Sequence, residues 1–229
     1  MLTRLFTDGP ELDAEARALR ETGCDWPNDA ETMIGLRRLD DLDDCIAAVV
    51  ADDIPGDLME CGVWRGGAAI FMRAALEARG DTDRRVWLAD SFQGVCRPDP
   101  VVFPEDAGYH LWAMPALAVS REDVAANFER YGLLDDRVSF LKGWFRDTLP
   151  SAPVESLALL RLDGDMYEST FVALEALYDK VAPGGYVIID DYGGFEPARL
   201  AVDDFRADHG IDEPIVWVDW TGIHWRKRR

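Results

Sequence analysis

Leu-Ala-Leu-Leu-Arg-Leu-Asp-Gly-Asp-Met-Tyr-Glu-Ser-Thr, from Leu157 to Thr170, is the stretch that decides how this chain folds. Its first half is an apolar run interrupted only by Arg161, which predicts a buried strand. Asp163 and Asp165 follow the run directly, and a helical pattern begins near Ser169. In an open parallel sheet, ligands bind outside the carboxyl ends of the strands. The two carboxylates therefore stand where such folds carry out chemistry.

A second apolar run, Tyr186 to Ile189, ends in the same way, with Asp190 and Asp191. We expect the two strands to be neighbours, so that Asp163 converges with these two residues. Carboxylate oxygens are the ligands that Mg²⁺ prefers, and a cation would relieve the repulsion between the clustered charges. The alternative is that the acids cap the helices that follow them. The sequence thus predicts a carboxylate site at one edge of the sheet.

Length and charge limit the function classes. The chain has 229 residues, which suits one α/β domain with additions. Its formal net charge is −20, and its basic residues cluster only in the tail Arg226–Arg229, so a nucleic-acid partner is not expected. The four cysteines have no paired spacing, and no apolar run approaches the length of a membrane span. We expect a cytoplasmic protein with no membrane partner and no disulfide framework.

The order of apolar patterns predicts a doubly wound sheet. A short polar helix over Leu12–Arg20 and a loop at Cys24–Asn28 come first, and helical spacing predicts a second helix over Met33–Val50. The residues at its beginning, Thr32–Met33, could close over a ligand. Alternating strand and helix patterns follow. They include a capping pattern, Ser-x-x-Asp, at residues 120–123, a helix from about Ser169 to Val181 and a turn at Pro183–Gly185. Two apolar runs after Ile215 predict a closing hairpin. The fold class is therefore α/β, with an antiparallel hairpin near one edge of the sheet.

A glycine-rich turn follows the first strand. Glu60–Ala68 has the spacing Glu-x-Gly-x-x-x-Gly, in which the glycines permit close backbone approach and the next helix offers free N–H groups. This spacing is typical of the first loop of class I S-adenosylmethionine-dependent methyltransferases, although glycines in such turns are also often structural. Asp90 ends the next strand and could accept ribose hydroxyls or cap a turn. The pair Trp144–Phe145 could flank an adenine or pack in the core.

The segment from Gly94 to Pro115 is long and rich in proline and aromatic residues. Loops of this length in a compact domain are usually functional or mobile. The sequence leaves three interpretations open: a lid, a wall of a substrate site, or a contact between subunits. The last of these makes a homo-oligomer plausible.

Several blocks of the chain, taken together, resemble the macrocin O-methyltransferase-like family, which methylates sugar hydroxyls during macrolide and aminocoumarin antibiotic tailoring. The blocks are Thr32–Gly35, Glu60–Ala68, Ala89–Gly94, Phe140–Phe145, Arg161–Tyr167 and Ile189–Tyr192. The resemblance implies a class I methyltransferase (Rossmann-like) fold with a doubly wound seven-stranded sheet and a C-terminal antiparallel hairpin. It further implies an N-terminal helical lid over residues 1–50 and a methyltransferase domain over residues 51–229.

The resemblance also implies ligands and the residues that hold them. S-adenosyl-L-methionine would be the methyl donor, and Mg²⁺ would be held by Asp163, Asp190 and Asp191. The residues implied to line or cover the donor are Thr32, Met33, Glu60, Cys61, Gly62, Val63, Trp64, Arg65, Gly66, Gly67, Ala68, Asp90, Ser91, Ser120, Gly143, Trp144, Phe145 and Asp163.

The predicted reaction is methyl transfer to a hydroxyl group, with a small glycosylated molecule as the substrate. A metal would lower the pKa of the hydroxyl, and a carboxylate would take its proton. We take Asp163 as both metal ligand and proton acceptor, with Asp165 supporting it. The nearest alternative is a metal-dependent catechol or phenol O-methyltransferase. Alternatives from other classes are an Asp-x-Asp nucleotide-sugar transferase, a haloacid-dehalogenase-type phosphatase and a non-catalytic S-adenosylmethionine-binding protein.

Overall fold

The computed structural model describes residues 13–25 and 29–228, and a twisted mixed sheet forms its centre. The strands are β1 (Asp57–Cys61), β2 (Val86–Asp90), β3 (Val138–Lys142), β4 (Leu157–Leu162), β5 (Val181–Ile189), β6 (Val216–Trp217) and β7 (Ile223–Arg226). Within the described residues the sheet has seven strands in the order β3-β2-β1-β4-β5-β7-β6. Strands β1 to β5 are parallel, whereas β7 runs antiparallel to both β5 and β6. The predicted doubly wound sheet with a closing hairpin is confirmed.

Helices cover both faces of the sheet. They are α1 (Ala14–Thr22), α2 (Leu36–Ala51), α3 (Gly67–Ala78), α4 (Arg121–Arg130), α5 (Phe145–Thr148), α6 (Tyr167–Leu177) and α7 (Glu196–Asp208). Successive residues of β4 point to opposite faces, so Leu159 packs in the cluster that contains α2, α3 and α4, and Leu160 packs with α6 and α7. This burial on both faces explains why β4 reads as a continuous apolar run. Among the described residues, no helix combines the length and apolar character needed to cross a membrane.

The N-terminal part differs in its boundaries from the prediction. The first helix is Ala14–Thr22, capped by the carboxylate of Asp13, which accepts a hydrogen bond from the Ala16 N–H at 2.8 Å. The second helix begins at Leu36 and not at Met33, because Gly35 is extended and lies against Gly23, where a Cβ would overlap backbone. Leu12 and the part of the predicted loop at residues 26–28 lie outside the described residues. Helix α2 packs against α3, β4 and β5.

The chain around β5 also departs from the prediction. The helix expected to run from Ser169 to Val181 spans Tyr167–Leu177, and a 3₁₀ turn, Tyr178–Lys180, leads directly into β5. The turn expected at Pro183–Gly185 lies inside β5, where the register shifts against β4. An irregularity of this kind accommodates a proline that cannot donate to the ladder. The short helix α5 was not predicted.

Candidate active site

The structure brings Asp163, Asp190 and Asp191 together at the carboxyl edge of the sheet. Leu162 pairs with Ile189 across β4 and β5, so the residues that follow each of them emerge side by side. The Asp190 N–H donates to the carbonyl of Leu162 at 2.9 Å. One carboxylate oxygen from each aspartate lies within 4.8 Å of the other two. The predicted convergence of the two strand ends is therefore observed.

A buried arginine lies beneath these carboxylates. Arg161 is 2 % exposed and donates hydrogen bonds to the carboxylates of Glu60, Asp163 and Asp190, with an N–O distance of 3.0 Å to Asp163. The strand register explains the cluster, because Glu60 on β1 is paired directly with Arg161 on β4. A charged residue inside an apolar strand was the sequence signal for this network, although its partners were not predicted.

A second arginine approaches from α2. Arg38 forms ion pairs with Asp190 and with Asp219, the latter with an N–O distance of 3.0 Å. Asp219 belongs to the loop between β6 and β7, and the hydroxyl of Thr221 in the same loop donates to the Asp190 carbonyl at 2.8 Å. The helix, the hairpin and the carboxylate site are thus joined by one polar network. Nothing in the spacing of the sequence identified Arg38.

Burial is the main cause of the unusual acidities at the site. Desolvation, with a smaller effect from Asp190, raises the pKa of Asp163 to about 6, although Arg161 opposes the shift. Desolvation followed by the charges of Asp163 and Asp190 raises the pKa of Asp165 to about 8. The pKa of Asp191 is also raised, with burial as the largest cause. Buried carboxylates that repel one another are stabilised by a cation.

The donor set fits a hard divalent cation. The three aspartates offer oxygen ligands, which Mg²⁺ prefers, and they leave room for water or substrate oxygens in an octahedral shell. One oxygen of Asp191 accepts a hydrogen bond from the Asp165 N–H at 3.0 Å, which fixes the orientation of that carboxylate. Hydrogen bonds of this kind commonly orient metal ligands.

The glycine-rich turn packs directly on the carboxylate loop. Gly62 has φ +86°, and a Cβ at this position would overlap the carbonyl oxygen of Asp163. Gly66 has φ +87° and occupies the N-cap position of α3, so no side chain at this position caps the helix. Both positions favour glycine because the backbone lies in the left-handed region. The turn therefore brings the start of α3 close to the edge that carries Asp163.

A cleft opens along this edge. The predicted donor-site residues that line it are Met33, Gly62, Trp64, Asp90, Ser91, Gly143, Trp144, Phe145 and Asp163, and Asp165 lines it as well. The other predicted residues do not contribute to its wall, namely Thr32, Glu60, Cys61, Val63, Arg65, Gly66, Gly67, Ala68 and Ser120. Because the wall combines apolar side chains with a few convergent polar groups, the cleft has the character of a small-molecule site.

The carboxylates of Asp90 and Glu60 differ in how many of their oxygens accept a hydrogen bond. The carboxylate of Asp90 accepts hydrogen bonds from the N–H groups of Val63 and Phe92, at 2.8 and 2.7 Å. Glu60 is 2 % exposed, and its second oxygen has no hydrogen-bond partner among the described residues. A buried carboxylate oxygen of this kind commonly bonds to an ordered water or to a bound ligand. Burial, opposed in part by Arg161, raises the pKa of Glu60 to about 8.

Ser120 caps helix α4. Its hydroxyl accepts a hydrogen bond from the Asp123 N–H at 3.1 Å. The Ser-x-x-Asp pattern predicted this cap, whereas contact with a methyl donor remains a prediction from the family resemblance.

The segment from Gly94 to Pro115 forms part of the cleft wall. Gly94, Val95, Cys96, Pro98 and Asp106 line the cleft, and so do Arg146 and Glu168, which pair with an N–O distance of 2.9 Å. Of the three interpretations left open by the sequence, a wall of the site is the one that this lining supports. Asp106 was missed because an acid in an irregular segment carries no signal of its own.

Comparisons with known proteins place the chain in a family. Residues 6–227 match the family model described as Macrocin-O-methyltransferase (TylF). The chain is 55 % identical, over 222 residues, to the 8-demethyl-8-(2,3-dimethoxy-alpha-L-rhamnosyl)-tetracenomycin-C 4'-O-methyltransferase of Streptomyces olivaceus, covering 96 % of this chain and 84 % of that protein. It is 49 % identical, over 217 residues, to the demethyldecarbamoylnovobiocin O-methyltransferase of Streptomyces niveus, covering 92 % of this chain and 81 % of that protein.

A solved structure agrees with the sequence comparisons. The structure of the O-methyltransferase NovP superposes with a TM-score of 0.91 at 48 % identity, covering 93 % of this chain and 88 % of that chain. The predicted class I methyltransferase fold and the predicted O-methyltransferase activity are confirmed, and the Asp-x-Asp transferase and phosphatase alternatives are set aside. The chain belongs to the macrocin O-methyltransferase family.

Proposed function

We propose that this O-methyltransferase methylates a hydroxyl on the sugar of a glycosylated natural product, as a tailoring step in antibiotic biosynthesis, with Mg²⁺ in its site. The observation that carries the proposal is the convergence of Asp163, Asp190 and Asp191 beside a cleft that combines apolar side chains with polar groups. The name of the Streptomyces olivaceus relative, which specifies a rhamnosyl tetracenomycin, supports a sugar acceptor. A catechol or phenol acceptor is the second candidate.

The residues proposed to hold the two ligands follow from the geometry. Asp163, Asp190 and Asp191 would ligate Mg²⁺, and the cleft wall near Gly62, Asp90 and the segment 143–145 would hold S-adenosylmethionine. When bound, S-adenosylmethionine supplies the methyl group, and Mg²⁺ lowers the pKa of a coordinated hydroxyl and orients it. The remaining roles predicted for Thr32, Arg65 and Ser120 stay predictions, as do the lid over residues 1–50, the homo-oligomer and the cytoplasmic location.

Geometry favours Asp165 over Asp163 as the proton acceptor. The carboxylate of Asp163 already accepts a hydrogen bond from Arg161, and metal ligation would withdraw further electron density from it. Asp165 lines the cleft, and no described residue donates a hydrogen bond to its carboxylate, while its backbone is held by Asp191. A general base needs a free lone pair within reach of the acceptor hydroxyl. We therefore revise the sequence-based assignment and give Asp163 the metal-binding role alone.

The rest of the site orients these groups. Arg161 and Arg38 hold the carboxylate of Asp190 from two sides, so it cannot rotate freely. Val95, Pro98 and Leu117 add apolar side chains to the cleft wall. Positioning of two bound reactants can account for ~7–11 kcal/mol of barrier lowering.

The test combines binding and turnover. Calorimetric titration with S-adenosylhomocysteine should show one-to-one binding, and methyl transfer from S-adenosylmethionine should require Mg²⁺ and stop in EDTA. Acceptors should be compared as a matched set: a glycosylated polyketide, its aglycone and a simple catechol, with the methylated position read by mass spectrometry. Methylation of the aglycone or the catechol alone would overturn the sugar acceptor, and full activity in EDTA would overturn the metal.

Two substitutions separate the roles of the aspartates. Asp163→Asn should weaken Mg²⁺ binding measured by calorimetry, whereas Asp165→Asn should leave Mg²⁺ and S-adenosylhomocysteine binding intact and lower kcat by ~10²–10⁴-fold. Asp208→Asn makes the same chemical change at the exposed end of α7 and serves as the control. Near-native turnover in Asp165→Asn would return the proton acceptor role to Asp163.

A further inference from the structure

The N-terminus of α6 is capped by a residue from a distant part of the chain. Met166 occupies the N-cap position and makes no side-chain hydrogen bond. The carboxylate of Asp106 accepts hydrogen bonds from the N–H groups of Tyr167 and Glu168, at 2.6 and 3.0 Å. Asp106 is 1 % exposed and lies in a 3₁₀ turn, Pro104–Asp106, within the cleft wall. One carboxylate thus satisfies two of the N–H groups that a helix start leaves unpaired.

This cap lies immediately after the loop that carries Asp163 and Asp165. Asp165 has φ +60°, a conformation that non-glycine residues rarely adopt and that the surroundings must enforce. On one side the Asp165 N–H donates to Asp191 at 3.0 Å. On the other side, the capped helix begins two residues later and fixes where the loop ends. The unusual backbone of Asp165 is therefore held between Asp191 and Asp106.

The segment that carries Asp106 also contacts the neighbouring helices through aromatic rings. Phe103 and Tyr167 have ring centroids 6.1 Å apart, and Tyr109 and Phe195 have centroids 6.5 Å apart. Because the same segment lines the cleft, a displacement of this wall would reach the start of α6 through both the cap and the rings. An ordinary helix cap from an adjacent residue would not make this connection.

We propose that Asp106 is a positioning residue for methyl transfer: by capping α6 from the cleft wall, it couples the wall to the loop that carries Asp163 and Asp165. The position of the cleft wall, which the substrate contacts, then also determines the orientation of Asp165, the proton acceptor. The inference rests on the proposed function for the role of Asp165, while the physical link between wall and loop does not depend on it.

The test uses two variants and a matched control. Asp106→Ala removes both hydrogen bonds, and Asp106→Asn keeps one acceptor but turns an amide N–H₂ towards the second backbone N–H. Asp99→Asn is the control, because Asp99 is exposed in the same segment and its carboxylate accepts a hydrogen bond from Val101, within the segment itself, at 3.0 Å.

For Asp106→Asn we expect unchanged affinity for S-adenosylhomocysteine, a kcat lower by ~10–100-fold, and faster amide hydrogen exchange confined to residues 164–170. Asp106→Ala should show the same changes to a greater degree, and Asp99→Asn should match the native protein. Native kcat and native exchange in a folded Asp106→Asn protein would overturn the proposal. So would a uniform rise in exchange across the sheet with a parallel loss of S-adenosylhomocysteine binding, since that pattern indicates global destabilisation. If the native enzyme methylates no sugar, the proposed function fails, and the exchange measurement still decides the role of Asp106.

Discussion

Gly62 and Asp163 lie so close together that one methyl group added at Gly62 should disturb the carboxylate site. A Cβ there would overlap the carbonyl oxygen of Asp163. Neither partner can easily move, because the Gly62 N–H donates to Ala89 and the Asp163 N–H donates to Cys61, both at 2.9 Å. Gly62→Ala must therefore displace the end of β1 or the end of β4.

The size of the effect can be worked from two contributions. Alanine in a left-handed backbone conformation costs ~1–2 kcal/mol, and forcing an extra carbon into a packed interior costs ~1–3 kcal/mol. We expect Gly62→Ala to lower the free energy of unfolding by ~2–5 kcal/mol. Gly80→Ala is the matched control, because Gly80 has φ +71° but no atom within 4 Å of an added Cβ. It should lose only the backbone contribution of ~1–2 kcal/mol.

Urea unfolding followed by circular dichroism measures both losses, and calorimetry measures Mg²⁺ binding in the same samples. We expect Gly62→Ala to lose more stability than Gly80→Ala and to bind Mg²⁺ more weakly, because Asp163 is displaced. Equal losses in the two variants, with native Mg²⁺ affinity in Gly62→Ala, would show that the turn and the carboxylate loop move independently. The packing argument for the site would then be wrong.

Three further predictions concern two ion pairs and the reactivity of the cysteine thiols. Arg161→Met removes the arginine that bonds to Glu60, Asp163 and Asp190, and it leaves the buried Glu60 without a cation, whereas Asp190 keeps its ion pair with Arg38. The change should lower the free energy of unfolding by ~3–5 kcal/mol in urea; native stability would mean that Glu60 is neutral in the folded protein. Hydrogen bonds from Arg73 lower the pKa of Asp135 from 3.8 to about 2, so its contribution is present above about pH 4 and is lost as the pH falls towards 2. Because Asp135 is partly exposed, Asp135→Asn should cost only ~1 kcal/mol at pH 7 and flatten the acid limb of a stability–pH curve. Cys24 is exposed and should react with a thiol reagent in the native state, whereas burial raises the pKa of Cys61, which should react only after unfolding.

The sequence predicted those parts of the fold in which pattern and environment agree. Strands covered on both faces, such as β4, read as apolar runs because every side chain is buried. The strand ends were equally clear, since Asp163 and Asp190 interrupt apolar runs where the chain leaves the sheet. These two observations were enough to predict that the carboxylates converge, because neighbouring parallel strands end at the same edge of the sheet.

Features that depend on contacts between distant segments were not predictable. The helix expected from Met33 begins later because Gly35 lies against Gly23, an approach that no local pattern encodes. Arg38 is 152 residues away in the chain from its hydrogen-bond partner Asp190. Asp106 is 61 residues away from its partner Tyr167. Each of them looks like an ordinary surface residue in sequence, because charged residues on helices and in irregular segments are common.

The distribution of charge supports the proposal that the carboxylate site can fold without a metal and still attract one. Arg161 pairs with Glu60, Asp163 and Asp190, and Arg38 pairs with Asp190 as well. Asp165 and Asp191 lie near enough to Asp163 and Asp190 for the charges of these residues to raise their pKa values. If all are ionised, the two arginines offset only part of the negative charge, and the residual charge lies on the cleft side, where Asp163 and Asp165 form the wall. The arginines are part of the chain and bond to the two oxygens of Asp190, so they offset part of the desolvation cost of this carboxylate whether or not a metal is bound. A divalent cation held by these carboxylates would offset most of what remains.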